Sequence, residues 1–121
     1  MTQITFIEQL TTLTKGLLYM SESEYPFDIY CISTLAQLDL GQATEISPLY
    51  FLQHAATEQS WHDEHEKLIV ARYQQLLAFI TNSCEIIGAY KTKPPLATIY
   101  ILLKPSDESL FVVLSTKVVE T

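Results

Sequence analysis

His62-Asp-Glu-His-Glu-Lys-Leu-Ile-Val-Ala-Arg-Tyr-Gln-Gln-Leu-Leu-Ala-Phe-Ile-Thr-Asn82 is the stretch whose reading decides the fold. Its apolar residues Ile69, Tyr73, Leu76, Leu77 and Ile80 recur at the spacing of one helix face, and Leu68, Ala71 and Phe79 broaden the stripe. Asp63, Glu64 and Glu66 near its start suit the positive end of a helix dipole. The spacing predicts one long helix from about His62 to about Asn82, with an apolar side that needs a surface to cover.

The residues that follow supply that surface. Cys84 to Lys91, Ala97 to Lys104 and Ser109 to about Val118 read as strands. Thr92-Lys-Pro-Pro95 and Pro105-Ser-Asp-Glu108 are short turn-forming links, which favour an antiparallel meander. Upstream, Ile4, Ile7, Leu10, Leu13 or Thr14, and Leu17-Leu18 predict a helix from about Gln3 to about Leu18, with Gly16 weakening its last turn. Phe27 to Ser33 alternates as a strand, with Phe27, Ile29 and Cys31 on one face and Asp28, Tyr30 and Ile32 on the other. Thr34 to Ile46 has no clear period; Leu35, Leu38 and Leu40 are expected as a loop cover or a short second strand. Ser47-Pro48 opens a short helix through Leu49-Tyr-Phe-Leu52. The order of elements gives a mixed α/β layer fold.

The chain of 121 residues reads as one domain, residues 1–121, and its 48% hydrophobic content marks it as globular rather than disordered. A formal charge of −7 argues against direct nucleic-acid binding, which needs clustered Lys and Arg, and fits a basic protein partner or simple solubility. The first residues lack a basic region followed by an apolar run, and no apolar segment approaches membrane-spanning length. The expectation is a cytoplasmic protein away from membranes, monomeric when free, with Cys31 and Cys84 as reduced core thiols.

Candidate chemistry is sparse. His62 and Glu66 are four apart, as metal ligands on a helix face would be, but the cluster is not His-Glu-x-x-His and a solvated acidic first turn explains it as well. His54 stands alone. No nucleophile elbow is present, and three glycines leave no phosphate-cradling loop, so an enzyme is not expected. Glu22 and Glu24 point the same way in an extended loop, where they would repel and prefer water to acid–base work.

Gly16-Leu-Leu-Tyr-Met-Ser-Glu-Ser-Glu-Tyr-Pro-Phe27 is an acidic link whose exit Pro26 stiffens; it reads either as a solvated turn or as a recognition loop. Trp61 is either a hydrophobic cap at the helix entry or an exposed anchor for a partner. At the other end, a strand-like run continues almost to the last residue. Glu120, the Thr121 hydroxyl and the terminal carboxylate thus lie just beyond a sheet, either as a plain strand end or as hard oxygens for a partner's Mg²⁺.

The stretch from Gly16 to Phe27 and the terminal Ser115-Thr-Lys-Val-Val-Glu-Thr121 resemble the two signature stretches of the nuclease A inhibitor family. Trp61, the acidic start of the long helix, Val70-Ala71 and Gln74-Gln-Leu-Leu77 fall in the corresponding order between them; the match is loose from Ser33 to Ser60. The resemblance implies an α-β-α sandwich with a mostly antiparallel sheet and helices on both faces. It also implies inhibition of a sugar-non-specific, Mg²⁺-dependent endonuclease of the ββα-metal type. By motif, Glu22 would stand in for the scissile phosphate, with Glu24 in support. Thr121, beside Glu120, would offer its hydroxyl to the nuclease's Mg²⁺. Ser60 and Trp61 would form a second contact patch, although the family pattern has an acidic residue where this chain has Ser60. The protein would need no cofactor of its own. Two rivals are a module of the same fold with a non-nuclease partner and a small enzyme using the His62 to Glu66 cluster. The inhibitor reading carries a geometric requirement: the acidic loop and the last residue must emerge on the same edge of the domain.

Overall fold

The computed structural model describes residues 3–19, 25–38, 43–93, 95–105 and 110–119. Helix α1 spans Gln3–Thr14 and is followed by a small hairpin, β1 Leu18–Tyr19 with β2 Tyr25–Pro26, and by β3 Asp28–Ile32. A 3₁₀ turn at Leu35–Gln37, the short strand β4 Thr44–Ile46 and helix α2 Pro48–Ala55 lead to helix α3 Glu64–Ser83. Strands β5 Cys84–Lys91, β6 Leu96–Pro105 and β7 Phe111–Val119 complete the described chain.

The meander holds. β5, β6 and β7 pair antiparallel in sequence order, and β4 and β3 add to the outer edges to give the order β3-β7-β6-β5-β4. The fold is therefore mixed α/β, built on a five-stranded antiparallel sheet. Along β6 and β7 the alternation sorts side chains to two faces. Ile99, Ile101, Leu103, Val112, Leu114 and Val118 join one core with Phe6 and Leu10 of α1, Leu52 of α2, and Tyr73, Leu76 and Ile80 of α3. Leu102 and Val113 face the other way, against Ile32 and Leu38. Helical structure thus meets the sheet unequally: the three α-helices share one core, and the 3₁₀ turn brings Leu38 to the opposite face. Gln37 holds that turn, its Oε1 accepting from the Ser33 and Thr34 amides and the Ser33 hydroxyl. The unperiodic segment is thus in part a loop cover, as expected, and Leu40 lies outside the described residues.

The predicted stripes of both long helices hold at most positions and shift at their margins. In α1 the buried line is Phe6, Leu10, Thr14 and Leu17 beyond its end, whereas Ile4 is exposed. Both lines satisfy a helical period; the Phe6 ring decides between them by packing 5.3 Å from Phe79 of α3. In α3, Val70 is buried while Leu68 and Ala71 face out. The thiols also differ from expectation: Cys31 lies exposed on the edge strand β3, and only Cys84 is half-buried. Burial pushes the Cys84 thiol up to about 12, which keeps it protonated and unreactive.

Helix α1 stops four residues short of the expected Leu18. Gly16 adopts φ +70°, a left-handed conformation that ends the helix, and the Leu17 amide bonds back to the Thr14 carbonyl at 2.9 Å. A Cβ at Gly16 would meet nothing within 4 Å, so the constraint there is conformational and not steric. Gly16→Ala is expected to lower stability by about 1 kcal/mol, read as a lower urea midpoint at unchanged m-value.

Candidate functional site

The site builds from β7 outward. In the β3–β7 ladder Asp28 lies opposite Ser115, and in the β6–β7 ladder Leu96 lies opposite Val119. The C-terminal half of β7 therefore leaves the sheet at the end where β3 begins and β6 begins. Just before β3, Pro26 carries no N–H, so the ladder with β7 cannot continue through it. The buried Thr116 hydroxyl reaches across there, its one proton directed at the Pro26 carbonyl at 3.0 Å with the Tyr25 carbonyl as a longer second acceptor at 3.3 Å. Tyr25 in turn pairs with Tyr19, the closing described pair of the β1–β2 hairpin.

The first leg of that hairpin is tied down by α3. Arg72 Nη2 donates to the carbonyls of Leu13 at 3.1 Å and Lys15 at 2.6 Å, satisfying backbone acceptors that α1 leaves open at its C-terminus. Leu17, immediately before β1, is buried in the main core. Both legs of the hairpin are thus anchored by residues distant in sequence.

Glu22, Glu24, Glu120 and Thr121 lie outside the described residues. Their described flanks, Tyr25 and Val119, sit at the same end of the sheet. A recess of about 200 Å³ lies at this end, lined in part by Tyr25, Asp28, Thr98, Ser115 and Lys117. On the same outer face, burial holds the Tyr30 hydroxyl above the usual phenol range. Neighbouring Tyr100 and Asp28 push the same way, and a hydrogen bond with Ser115 pulls back. Tyr30 therefore stays a neutral phenol and hydrogen-bonds as one.

Trp61 and Ser60 are exposed, Trp61 at 70%. That degree of exposure does not fit a hydrophobic cap. A tight turn sets the indole: the His62 amide donates to the Gln59 carbonyl at 3.1 Å, and the Gln59 amide donates to His62 Nδ1 at 3.0 Å. Nδ1 is thereby an acceptor, which leaves the proton of the neutral ring on Nε2. The Trp61 ring stands edge-on to His62 with centroids 4.3 Å apart. Behind it is a mostly apolar cavity of about 420 Å³, lined in part by His54, Gln59, Ile69 and Tyr73. Because α3 runs directly into β5 at Ser83–Cys84, the helix folds back over the sheet, with Tyr73 edge-on to Phe27 at 6.1 Å.

The acidic cluster after Trp61 has a structural explanation. Asp63 is the N-cap of α3: its carboxylate accepts from the Glu66 amide at 2.7 Å, and Glu66 accepts from the Asp63 amide at 3.2 Å. Glu66 and His62 Nδ1 are thus engaged within this turn. Among the described residues, no group of three or more His, Cys, Asp or Glu comes together as a metal site would require. The Glu58–Lys67 ion pair nearby, 3.9 Å and largely exposed, adds little.

Arg72 and Thr116 escaped the sequence reading. Nothing about an arginine within an amphipathic helix announces a role at the end of another helix. Thr116 left a faint trace, since Pro26 interrupts the ladder at the strand's entry.

A family model described as nuclease A inhibitor-like protein matches residues 4–121. The chain belongs to that family, as its two terminal stretches implied. No curated protein matches the sequence.

The capping box makes a local prediction. Asp63→Ala is expected to cost about 1 kcal/mol of stability, seen in chemical denaturation.

Proposed function

We propose that this chain is a stoichiometric protein inhibitor of a sugar-non-specific, Mg²⁺-dependent endonuclease of the ββα-metal type. The observation that carries the reading is the family match over residues 4–121. In this reading Glu22 occupies the phosphate position of the nuclease active site, because a carboxylate presents anionic oxygens to the same donors as a phosphate. Thr121 offers a hard oxygen to the nuclease's Mg²⁺, where a water would otherwise sit. Glu24 and Glu120 add negative charge beside these two contacts, and Ser60 with the exposed Trp61 forms a second patch.

Several features support this reading. The described flanks of both terminal stretches share one end of the sheet, so a single partner surface can meet them. A charge of −7 suits a partner built to bind a polyanion and raises the association rate. Inhibition is then occlusion with charge mimicry and no turnover. The protein acts as a free monomer in the cytoplasm and uses no cofactor of its own. It contacts neither membrane nor nucleic acid directly. Ser60, in place of an acidic residue, motivates the second reading: a module of the same fold whose partner is not a nuclease.

Titrating a purified ββα-metal nuclease with this protein separates the two. Activity is expected to fall linearly to an end point at one inhibitor per enzyme, and no end point with any such nuclease supports the non-nuclease module. A C-terminal extension beyond Thr121 is expected to abolish most of the inhibition, and Glu22→Gln to weaken it about tenfold or more. Full potency in the extended protein removes Thr121 as a metal ligand, and full potency in the Gln variant removes the phosphate mimic.

A further inference from the structure

We infer that Thr116 and Arg72 are positioning residues for the acidic loop: they hold the two legs of the β1–β2 hairpin in the geometry in which residues 20–24 meet the partner. The inference rests on the inhibitor reading and concerns residues that touch no partner themselves.

Two separate constraints converge on the hairpin. Its second leg contains Pro26, which cannot donate to β7, so the usual ladder that would lock an edge segment is broken there. The hydroxyl of Thr116, a residue only 3% exposed, adds a different tie, its one proton directed at the Pro26 carbonyl with the Tyr25 carbonyl as a longer second acceptor. Its own strand is held by β6, where Thr116 lies opposite Ile99. The first leg leaves α1 through Gly16 at φ +70°, a residue with more backbone freedom than any other. Arg72 brackets that glycine by gripping the Leu13 and Lys15 carbonyls just before it, 57 to 59 residues away in the chain. Each leg thus has one intrinsically weak point and one distant side chain that ties its backbone carbonyls.

A two-residue ladder, Leu18 opposite Pro26 and Tyr19 opposite Tyr25, is too short to fix such a hairpin alone. Binding would then carry an ordering cost that the two anchors remove in advance. Their contribution should therefore appear in partner binding through Glu22, and not through the separate Trp61 patch.

The test uses the full-length protein with a ββα-metal nuclease. Thr116→Val keeps the shape and removes the donor; it is expected to weaken inhibition about fivefold, while Thr116→Ser stays close to the parent. In a Glu22→Gln background, Thr116→Val should change little, whereas in a Trp61→Ala background its full effect should persist. Equal effects in both backgrounds, or none in either, overturn the inference. Arg72→Met should follow the same pattern and serves if the Thr116 variant folds poorly. A second readout needs no nuclease: amide exchange at Leu18, Tyr19 and Tyr25 should quicken in both variants, with Leu102 and Val113 unchanged. Unchanged exchange at Leu18, Tyr19 and Tyr25 overturns the inference as well. If the parent protein inhibits no nuclease, the inhibitor reading falls while the exchange result still decides the anchoring.

Discussion

Strand β7 is the member on which the rest of the structure depends, because it is hydrogen-bonded along both edges. Val112, Val113 and Leu114 are fully buried, with side chains on both faces of the sheet. A strand in that position cannot slip by one residue without turning its buried side chains to the wrong face. Its register therefore fixes where β3 begins, where β6 begins and at which end the chain leaves the sheet. The end shared by the first hairpin and the last strand is a consequence of that single constraint.

Helix α3 plays the corresponding role in the helical layer. Its apolar side covers the sheet, and its polar side chains close the other two helices. Arg72 binds the carbonyls at the end of α1, and Gln74 Nε2 donates to the Ala56 carbonyl just past α2 at 3.0 Å. Helix C-termini leave backbone acceptors that must find donors. Taking both sets of donors from one helix ties the layer together with few residues. The same helix starts beside Trp61 and, through Arg72, reaches the root of the acidic hairpin. The two candidate contact patches are therefore mounted on one packed body, a geometry suited to a partner that engages both at once.

Several titratable groups of the described residues serve the fold or sit in their neutral forms. The titratable cluster at His62 to Glu66 is absorbed by a capping box and a tight turn. Tyr30 and Cys84 are both shifted toward their neutral forms, by burial above all.

The sequence by itself determined the element types and nearly all of their order. The long helix, the three-strand meander and the short Pro48 helix follow from periodicity, capping residues and turn-forming links, all of which are local. It also carried the family through its two terminal stretches, and the location of candidate contacts at Glu22, Trp61 and Thr121. Only the tertiary structure decided that Phe6 and not Ile4 completes the buried side of α1, because the choice rests on Phe6 meeting Phe79 across 73 residues. It alone turned the acidic link into a hairpin and exposed Leu68 and Cys31. The anchors Arg72 and Thr116 were out of reach of the sequence for the same reason. Their partners are backbone carbonyls, which every residue carries, so a hydrogen bond spanning 57 to 91 positions leaves no residue pattern to read.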